Sequence, residues 1–314
     1  MTMTTLAAAN MKVTRDKQAN LEKISELIAE AGSRGVDFLV FPEASLQGYV
    51  DFAIPRGTAA QADQTKRLLE AAETIPGPAT EALGELAARH DMFVQFGLIE
   101  AGRYGSVLYN SVAIVGPGGV VHSFRKMHNK PEYPYMKPGH RSDVTMAGDT
   151  RVGSLICADL LFPELSRLYA LQGAELLLYS TAWPTRMGES QGTGEYMDLC
   201  ARSTAFFNQT WMVVSNHCEQ GAYSERLDYY GGSQIVDPRG TVVARAEVDE
   251  CLVVHTADLA EEISAARTHS GIGQSFLDDR RPECYALLAE DLDARLPSVG
   301  VASPDAVNSK LEEL

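Results

Sequence analysis

The stretch RVGSLICADLLFPEL, residues 151–165, carries an apolar run into a cysteine and then into a helix start. Residues 151–156 have the aliphatic content of a buried strand, and Pro163 suits the first turn of an α-helix. A strand followed by a helix indicates an α/β fold, in which functional residues lie at the carboxyl ends of strands. Cys157 stands at such an end. Alone, the stretch leaves two interpretations open: a buried structural thiol or a nucleophile.

The composition is that of an acidic chain with ample core-forming material. Of 314 residues 45% are hydrophobic, and 42 acidic residues outnumber 27 Lys and Arg, giving a formal net charge of -15. The hydrophobic content is enough for a sizeable core. A strongly negative chain repels nucleic acid and anionic membranes, so we expect neither as a partner. No apolar run approaches the roughly 20 residues of a membrane helix.

The cysteines are few, odd in number and widely spaced. They are Cys157, Cys200, Cys218, Cys251 and Cys284. Because no CxxC pair occurs, we expect neither a disulfide scaffold nor a structural zinc site. The first residues lack the basic patch and long apolar region of a secretory signal. We therefore expect a cytoplasmic protein.

Short apolar runs recur along the chain, with amphipathic patterns between several of them. The predicted strands are 6–13, 37–41, 92–99, 107–115, 120–125, 151–156, 175–179, 211–216, 232–236, 241–246 and 251–256. The predicted helices are 17–33, 61–73, 79–90, 163–173 and 194–208. The turn sequences GPGG (116–119) and DPRG (237–240) predict two β-hairpins. Together these patterns indicate a mixed sheet covered by helices.

No linker-like tract divides most of the chain. We therefore predict a single domain over residues 1–284. From 285 to 314 the pattern decays into a tail with Pro, Ser and acidic clusters. Two interpretations of this tail remain open, because such a segment is either disordered or packed on a neighbouring subunit.

Two further strand ends carry charges that could assist Cys157. Strand 37–41 runs into Glu43, and a carboxylate there costs free energy unless it is solvated, paired or functional. Strand 120–125 runs into Lys126, a type of residue that is usually a solvated charge. A thiol is mostly protonated at neutral pH, so a cysteine nucleophile needs a base or a cation beside it. Glu43 could remove the proton, with His128 as an alternative base, and Lys126 could stabilise an oxyanion.

The sequence resembles the nitrilase superfamily of carbon–nitrogen hydrolases. Its three signature blocks occur here in order. FPEASLQGY (41–49) resembles the FPE-x-x-x-x-GY block, FRKMHNKPEYPYMKPG (124–139) the R-K-x-H block, and CADLLFPE (157–164) the C-x-D-x-x-FPE block. GGSQIVDPRG (231–240) is similar to a later G-x-S-x-I-x-D-P-x-G segment of the family. The resemblance covers about residues 6–268.

The resemblance implies a role for each strand-end residue. Glu43 would be the general base, Lys126 the oxyanion stabiliser and Cys157 the nucleophile. Glu132 is the best match to a second glutamate that positions the substrate or the water, and the backbone N–H of Ala158 would be a second oxyanion donor. The side chains that we expect in the substrate pocket are Tyr49, Tyr133, Leu161 and Trp183. No metal or organic cofactor is implied.

The fold implied by the resemblance is a four-layer α-β-β-α sandwich of the α/β class. Two copies usually join through the helix after the nucleophile and the C-terminal segment, so we expect a homodimer or a higher homo-oligomer. Thr204 and Phe207 stand where many relatives carry Arg and Glu. These departures affect local packing and the dimer surface and leave the three strand-end residues unchanged.

The implied activity is hydrolysis of a small amide or N-carbamoyl compound to a carboxylic acid and ammonia, through a cysteine thioester. True nitrilases commonly have Trp-Glu directly after the cysteine, where this chain has Ala158 and Asp159. Carbamoylases often carry an arginine just after that Asp, where this chain has Leu160 and Leu161. The sequence therefore favours an amidase that acts on an uncharged acyl group. The alternatives are a nitrilase acting on a nitrile and a non-catalytic member of the fold.

Overall fold

The computed structural model describes residues 3–51, 54–129, 132, 135–187, 190–191, 194–218, 227–268 and 276–289. The strands are β1 Thr4–Asn10, β2 Phe38–Val40, β3 Phe93–Ala101, β4 Leu108–Gly116, β5 Gly119–Arg125, β6 Thr145–Ala147, β7 Thr150–Ile156, β8 Leu176–Thr181, β9 Pro184–Met187, β10 Ser190–Gln191, β11 Trp211–Asn216, β12 Leu227–Tyr229, β13 Gln234–Val236, β14 Val242–Arg245 and β15 Cys251–Ala257. The α-helices are α1 Lys17–Ser33, α2 Ala59–Ala71, α3 Pro78–Arg89, α4 Pro163–Leu171, α5 Gly194–Asn208 and α6 Leu259–Thr268.

Two mixed six-stranded sheets form the centre of the fold. Their strand orders are β15-β1-β2-β3-β4-β5 and β14-β13-β11-β8-β7-β6, and β9, β10 and β12 form a smaller third sheet. Strands β1, β2 and β3 are parallel, as are β7, β8 and β11. The predicted hairpins are confirmed, because β4 pairs with β5 and β13 with β14 in antiparallel register.

The two large sheets stack face to face with helices on both outer sides. Helices α1 and α3 pack against the first sheet around a core that includes Ile24, Ile28 and Leu83. Helices α4 and α5 pack against the second sheet around Leu165 and Tyr169. A third core lies between the sheets. It includes Leu6, Val40, Ile114, Leu178 and Val213. The expected four-layer α-β-β-α sandwich is therefore confirmed.

The sequence pattern locates long elements better than short ones. Helix α1 begins where the Asp16 side chain accepts hydrogen bonds from the backbone N–H groups of Gln18 and Ala19, as an N-cap residue does. Pro163 is the first residue of α4, as predicted. Strands β6, β9, β10 and β12 were not predicted, because runs of two to four residues show no period, and α6 was also missed.

The chain divides into two compact units, Met1–Leu277 and Asp278–Leu314. The elements above belong to the first unit. In the second, the described residues form two short 3-10 turns, Pro282–Cys284 and Ala286–Ala289. Most of the predicted tail, from 290 onward, lies outside the described residues, so the domain boundary at 284 stays a prediction.

Candidate active site

Glu43 lies in a tight turn that follows β2 and is fixed by neighbours from both sheets. The Glu43 N–H donates to the Thr181 carbonyl (3.3 Å), and the Leu46 N–H donates to the Gly97 carbonyl (3.0 Å). Ala44 adopts a left-handed conformation with φ 47°. At Gly97 a Cβ atom would lie 2.3 Å from the Ala44 nitrogen, so this position needs glycine for the turn to approach β3. These contacts hold the Glu43 carboxylate between the sheets.

Lys126 follows the last residue of β5 and is almost completely buried, with a side chain 2% exposed. Its backbone N–H donates to the Asn110 carbonyl and its carbonyl accepts from the Gly139 N–H, both at 2.8 Å. These bonds continue the sheet pairing one residue past β5. The side chain is thereby directed toward Glu43.

Cys157 follows β7 and opens a 3-10 turn, Cys157–Leu161. Its φ of 44° is left-handed, a conformation that L-residues other than Asn and Asp adopt rarely and at a cost of about 1–3 kcal/mol. Two contacts hold it there: the Tyr179 hydroxyl donates to the Cys157 carbonyl (2.9 Å), and Asp159 Oδ2 accepts from the Ile156 N–H (3.2 Å). As a whole residue, Cys157 is partly exposed.

The structure brings Glu43, Lys126 and Glu132 into one buried charged cluster. Lys126 Nζ lies 2.6 Å from Glu43 Oε1 and 2.5 Å from Glu132 Oε1. Asn110 Nδ2 donates to both carboxylates, at 2.6 Å to Glu43 and 3.2 Å to Glu132. The Tyr49 hydroxyl donates to Glu132. Within the described part of the chain, Glu43 Oε2 has no hydrogen-bond partner, which leaves one carboxylate oxygen available to accept a proton.

The electrostatics of the cluster suit acid–base chemistry. Burial raises the pKa of Glu43 above its ordinary value, although the charge of Lys126 opposes this. Burial acts to lower the pKa of Lys126, but the charges of Glu132 and Glu43 outweigh it, so that pKa is raised well above its ordinary value. Burial and the Glu43 charge raise the pKa of Cys157 to about 12. The resting cysteine is therefore a thiol, and it needs a base to become a nucleophile.

His128, the alternative base of the sequence analysis, is held by two contacts outside the charged cluster. Its Nδ1 lies 2.8 Å from Asp159 Oδ1, and its ring stacks on Phe162 at 3.7 Å between centroids. Asp159 Oδ1 also accepts from the backbone N–H groups of Met127 (3.2 Å) and His128 (2.9 Å). Asp159 thereby joins the loop after Lys126 to the turn that carries Cys157.

The expected pocket residues fall in different places. Tyr49 belongs to the cluster, with its hydroxyl 3.5 Å from Lys126 Nζ. Trp183 is buried, two residues after the end of β8, and its backbone N–H donates to Asn216 Oδ1 (2.7 Å). Leu161 is 52% exposed and lines a surface groove between α4 and α5, so the structure does not bring it to the charged cluster. Tyr133 lies outside the described residues. Ala158 is the second residue of the 3-10 turn.

Sequence reasoning missed Asn110, which bonds both carboxylates of the cluster. The available signal was a polar residue inside the apolar strand 107–115, since a buried amide needs hydrogen-bond partners. His217 was also missed. Its Nε2 lies 2.6 Å from the Glu43 carbonyl, and burial lowers its pKa to about 4, so it is a neutral support of the Glu43 turn.

The sequence model of the carbon–nitrogen hydrolase family matches residues 5–267. This chain belongs to that family. The match spans the three strand ends that carry Glu43, Lys126 and Cys157. It stops before the second compact unit.

Several curated relatives carry amidase names. The chain is 31% identical over 267 residues to an omega-amidase of Bos taurus, covering 81% of this chain and 88% of the relative. It is 32% identical over 269 residues to an (R)-stereoselective amidase of a Pseudomonas species, covering 85% of this chain and 87% of the relative. It is 30% identical over 303 residues to the deaminated glutathione amidase of Homo sapiens, covering 91% and 85%.

Solved structures share the fold. Nit3 of Saccharomyces cerevisiae, a member of branch 10 of the nitrilase superfamily, superposes with a TM-score of 0.74 at 25% identity, covering 87% of this chain and 96% of that one. A carbon–nitrogen hydrolase from Helicobacter pylori superposes with a TM-score of 0.76 at 20% identity, covering 92% of this chain and 99% of that one. Among the helices described here, none has the length and apolar character needed to cross a bilayer.

Proposed function

We propose that this enzyme hydrolyses the C–N bond of a small amide to a carboxylic acid and ammonia, through a thioester on Cys157. The observation that carries the proposal is the buried Glu43–Lys126–Glu132 cluster, with one carboxylate oxygen of Glu43 unpartnered, beside a cysteine held at a strand end. Burial of three charges costs free energy that pairing only partly offsets, and such groups cluster at functional sites. The amidase names of the relatives support an amide as the substrate.

In the acylation step, Glu43 accepts the thiol proton while Cys157 Sγ bonds to the carbonyl carbon of the amide. The carbonyl oxygen becomes an oxyanion, which the ammonium of Lys126 and the backbone N–H of Ala158 stabilise. Glu43 then gives its proton to the amide nitrogen, the C–N bond breaks and ammonia leaves. The product on the enzyme is a neutral thioester.

In the deacylation step, Glu43 accepts a proton from water as the water oxygen bonds to the thioester carbon. The second oxyanion forms in the same place and is stabilised by the same donors. The C–S bond breaks, the carboxylic acid leaves and Cys157 regains a proton from Glu43. Glu132, which bonds Lys126 and Tyr49, holds the cation in position and faces the substrate or the water.

The test of this proposal is ammonia release from a panel of aliphatic and aromatic amides, N-carbamoyl compounds and the matching nitriles. We expect release from amides with neutral acyl groups. Release from nitriles alone would make the enzyme a nitrilase and overturn the proposal. If no member of the panel releases ammonia, thioester formation on Cys157 must be looked for by intact mass, and its absence would indicate a non-catalytic member of the fold.

The raised pKa of Glu43 predicts the acid side of the pH profile. The base must be ionised to accept the thiol proton, so kcat/KM falls as the pH drops through the pKa of Glu43 in the free enzyme. Because burial raises that pKa, the acid limb should lie above the ordinary glutamate value of about 4.5. A profile of kcat/KM against pH for the best amide measures it. A kcat/KM that stays constant down to pH values below about 4 would contradict the assignment of Glu43 as the base.

We further propose that the enzyme is a homodimer joined through α4 and α5. These helices, with the end of the 3-10 turn before α4, expose large apolar side chains on one side of the sandwich: Leu161, Leu168, Tyr196, Leu199, Phe206 and Phe207. Isolated apolar residues are common on surfaces, but a contiguous group of this kind is typical of an interaction site. In a two-fold dimer the same surface patch of each subunit contacts its copy on the other. The patch on α4 and α5 could therefore form the whole interface.

The dimer proposal predicts that Leu199→Asp yields a folded monomer. Leu199 is 62% exposed, so the change costs little in the monomer, whereas a dimer would bury an unpaired carboxylate. Light scattering after size exclusion measures the mass. Leu69→Asp is the matched control, because Leu69 is an exposed leucine (44%) on α2, on the other outer layer. A wild-type monomer, or an unchanged mass for Leu199→Asp, would contradict the proposed interface.

A cytoplasmic location is also proposed, on the basis of cysteine usage. The five cysteines are widely spaced and form no CxxC pair, which is typical of proteins in reducing compartments. Fractionation of cells that express the full chain tests this. Recovery of the protein outside the cytoplasmic fraction would contradict it.

A further inference from the structure

The register of the second sheet places Thr181 next to Cys157. Strands β7 and β8 are parallel, and Ile156 is aligned with Ser180. Cys157, the residue after β7, and Thr181, the last residue of β8, therefore lie side by side at the carboxyl edge of the sheet. Thr181 also holds the base, because its carbonyl accepts the N–H of Glu43 (3.3 Å). One residue thus adjoins both the nucleophile and the general base.

The hydroxyl of Thr181 is fully buried, and among the described residues it makes no hydrogen bond of good geometry. Neighbouring buried hydroxyls do make such bonds: Ser180 Oγ donates to the Phe41 carbonyl (2.7 Å), and Ser215 Oγ donates to the Ala9 carbonyl (2.6 Å). A buried hydroxyl without a partner costs free energy. An unused donor at this position is therefore available to a charge that forms during the reaction.

Among the described residues, the groups around the Cys157 sulfur have opposite effects on the stability of its thiolate. The charged and titratable groups that face Cys157 are Glu43, Lys126, Tyr49 and Tyr179. Burial and Glu43 disfavour the thiolate and raise the pKa of Cys157, whereas Lys126, the Thr181 hydroxyl and the Ala182 backbone N–H favour it. Lys126 is already engaged by two carboxylates, so the end of β8 supplies the two neutral donors, although the Thr181 hydroxyl also acts on the neighbouring hydroxyl of Tyr179.

We propose that Thr181 is a further catalytic residue, whose hydroxyl donates a hydrogen bond to Cys157 Sγ whenever the sulfur is anionic. The hydroxyl hydrogen rotates about the C–O bond and can turn to the sulfur as the proton moves to Glu43. The same bond forms again when the C–S bond of the thioester breaks and the thiolate leaves. This inference rests on the proposed function, in which Cys157 is the nucleophile.

Two substitutions at Thr181 test the proposal. Thr181→Val keeps the shape and removes the hydroxyl, and Thr181→Ser keeps the hydroxyl. The readout is the second-order rate of Cys157 alkylation by iodoacetamide from about pH 6 to about pH 10, followed by peptide mass mapping, because alkylation requires the thiolate. Cys157→Ala gives the background from the other cysteines. Iodoacetamide is itself a small amide, which is the substrate class proposed above.

We expect Thr181→Val to alkylate about tenfold more slowly than wild type at every pH below the thiol pKa, which corresponds to a pKa about one unit higher. Thr181→Ser should stay within about threefold of wild type. Thr210→Val is the matched control, since the Thr210 hydroxyl is also fully buried and unpartnered in the described structure. Thr210 lies just before β11, at the opposite edge of the sheet from Cys157. It should alkylate as wild type does.

An alkylation profile of Thr181→Val that equals wild type would overturn the proposal, and so would equal slowing in Thr181→Ser. Thermal unfolding of each variant shows whether it is folded, and if Thr181→Val is not, Thr181→Ala replaces it with the same expected slowing. The readout is independent of amide hydrolysis. If wild type alkylates at Cys157 and releases no ammonia from any amide, the proposed function fails while the role of Thr181 in thiolate formation is still measured.

Discussion

Cys157→Ala is expected to reduce ammonia release from the best amide by about 10⁴-fold or more. The variant lacks the sulfur that forms the thioester, and no other described side chain in the cluster is a comparable nucleophile: Glu43 and Glu132 are held by Lys126, and the pKa of Tyr49 is raised well above its ordinary value by burial. Because Cys157 is a small, partly exposed residue, alanine should leave the fold intact.

Cys200→Ala is the matched control for that experiment. Cys200 is also partly exposed and has a pKa raised by burial, but it lies on α5, in the outer helix layer. Its replacement should leave kcat/KM within about twofold of wild type, since surface substitutions away from a site change little. Ammonia release by Cys157→Ala at a rate near that of wild type would exclude Cys157 as the nucleophile.

Lys126→Met is expected to remove both stability and activity. The substitution leaves Glu43 and Glu132 buried without their cation, and loss of one member of a buried ion pair costs about 3–5 kcal/mol. It also removes the positive charge at the oxyanion, with a loss of about 10²–10³-fold in kcat. Urea unfolding measures the first effect, and ammonia release measures the second.

A double variant separates the two effects of Lys126. Lys126→Met with Glu132→Gln removes one of the two stranded carboxylates, so it should recover part of the lost stability and none of the activity. Lys66→Met is the control lysine, because both members of its ion pair with Glu70 (3.9 Å) are exposed, at 74% and 68%, and its loss should cost less than about 1 kcal/mol. Wild-type stability and activity in Lys126→Met would contradict the role given to the cluster.

The strand ends that carry the site follow from local sequence. Strands β2, β5 and β7 have clear apolar patterns, so Glu43, Lys126 and Cys157 could each be placed one to three residues past a strand end. That these ends meet depends on the order of the sheets and on the stacking of one sheet on the other. Local patterns do not specify that order, and the expectation came from the resemblance to a known family.

The supporting residues could not be predicted, because their partners are distant in sequence. Asn110 bonds Glu43 and Glu132, which lie 67 and 22 positions away, and nothing near Asn110 indicates either contact. His128 illustrates the converse. Its position near Lys126 suggested a base, but its contact with Asp159, 31 positions away, assigns the side chain to the link between two loops. Hydrogen bonds of this kind depend on the fold and not on the distance between the residues in the sequence.

The most direct test of Cys157 as the nucleophile is to detect the thioester. Wild-type enzyme is mixed with the best amide, quenched with acid during the first turnover, digested and mapped by mass spectrometry. We expect the mass of the acyl group on the peptide that contains Cys157, and its removal by hydroxylamine, which cleaves thioesters. Consumption of the amide with no acyl group on Cys157 at any time in the first turnover, or with the group on another residue, would contradict it.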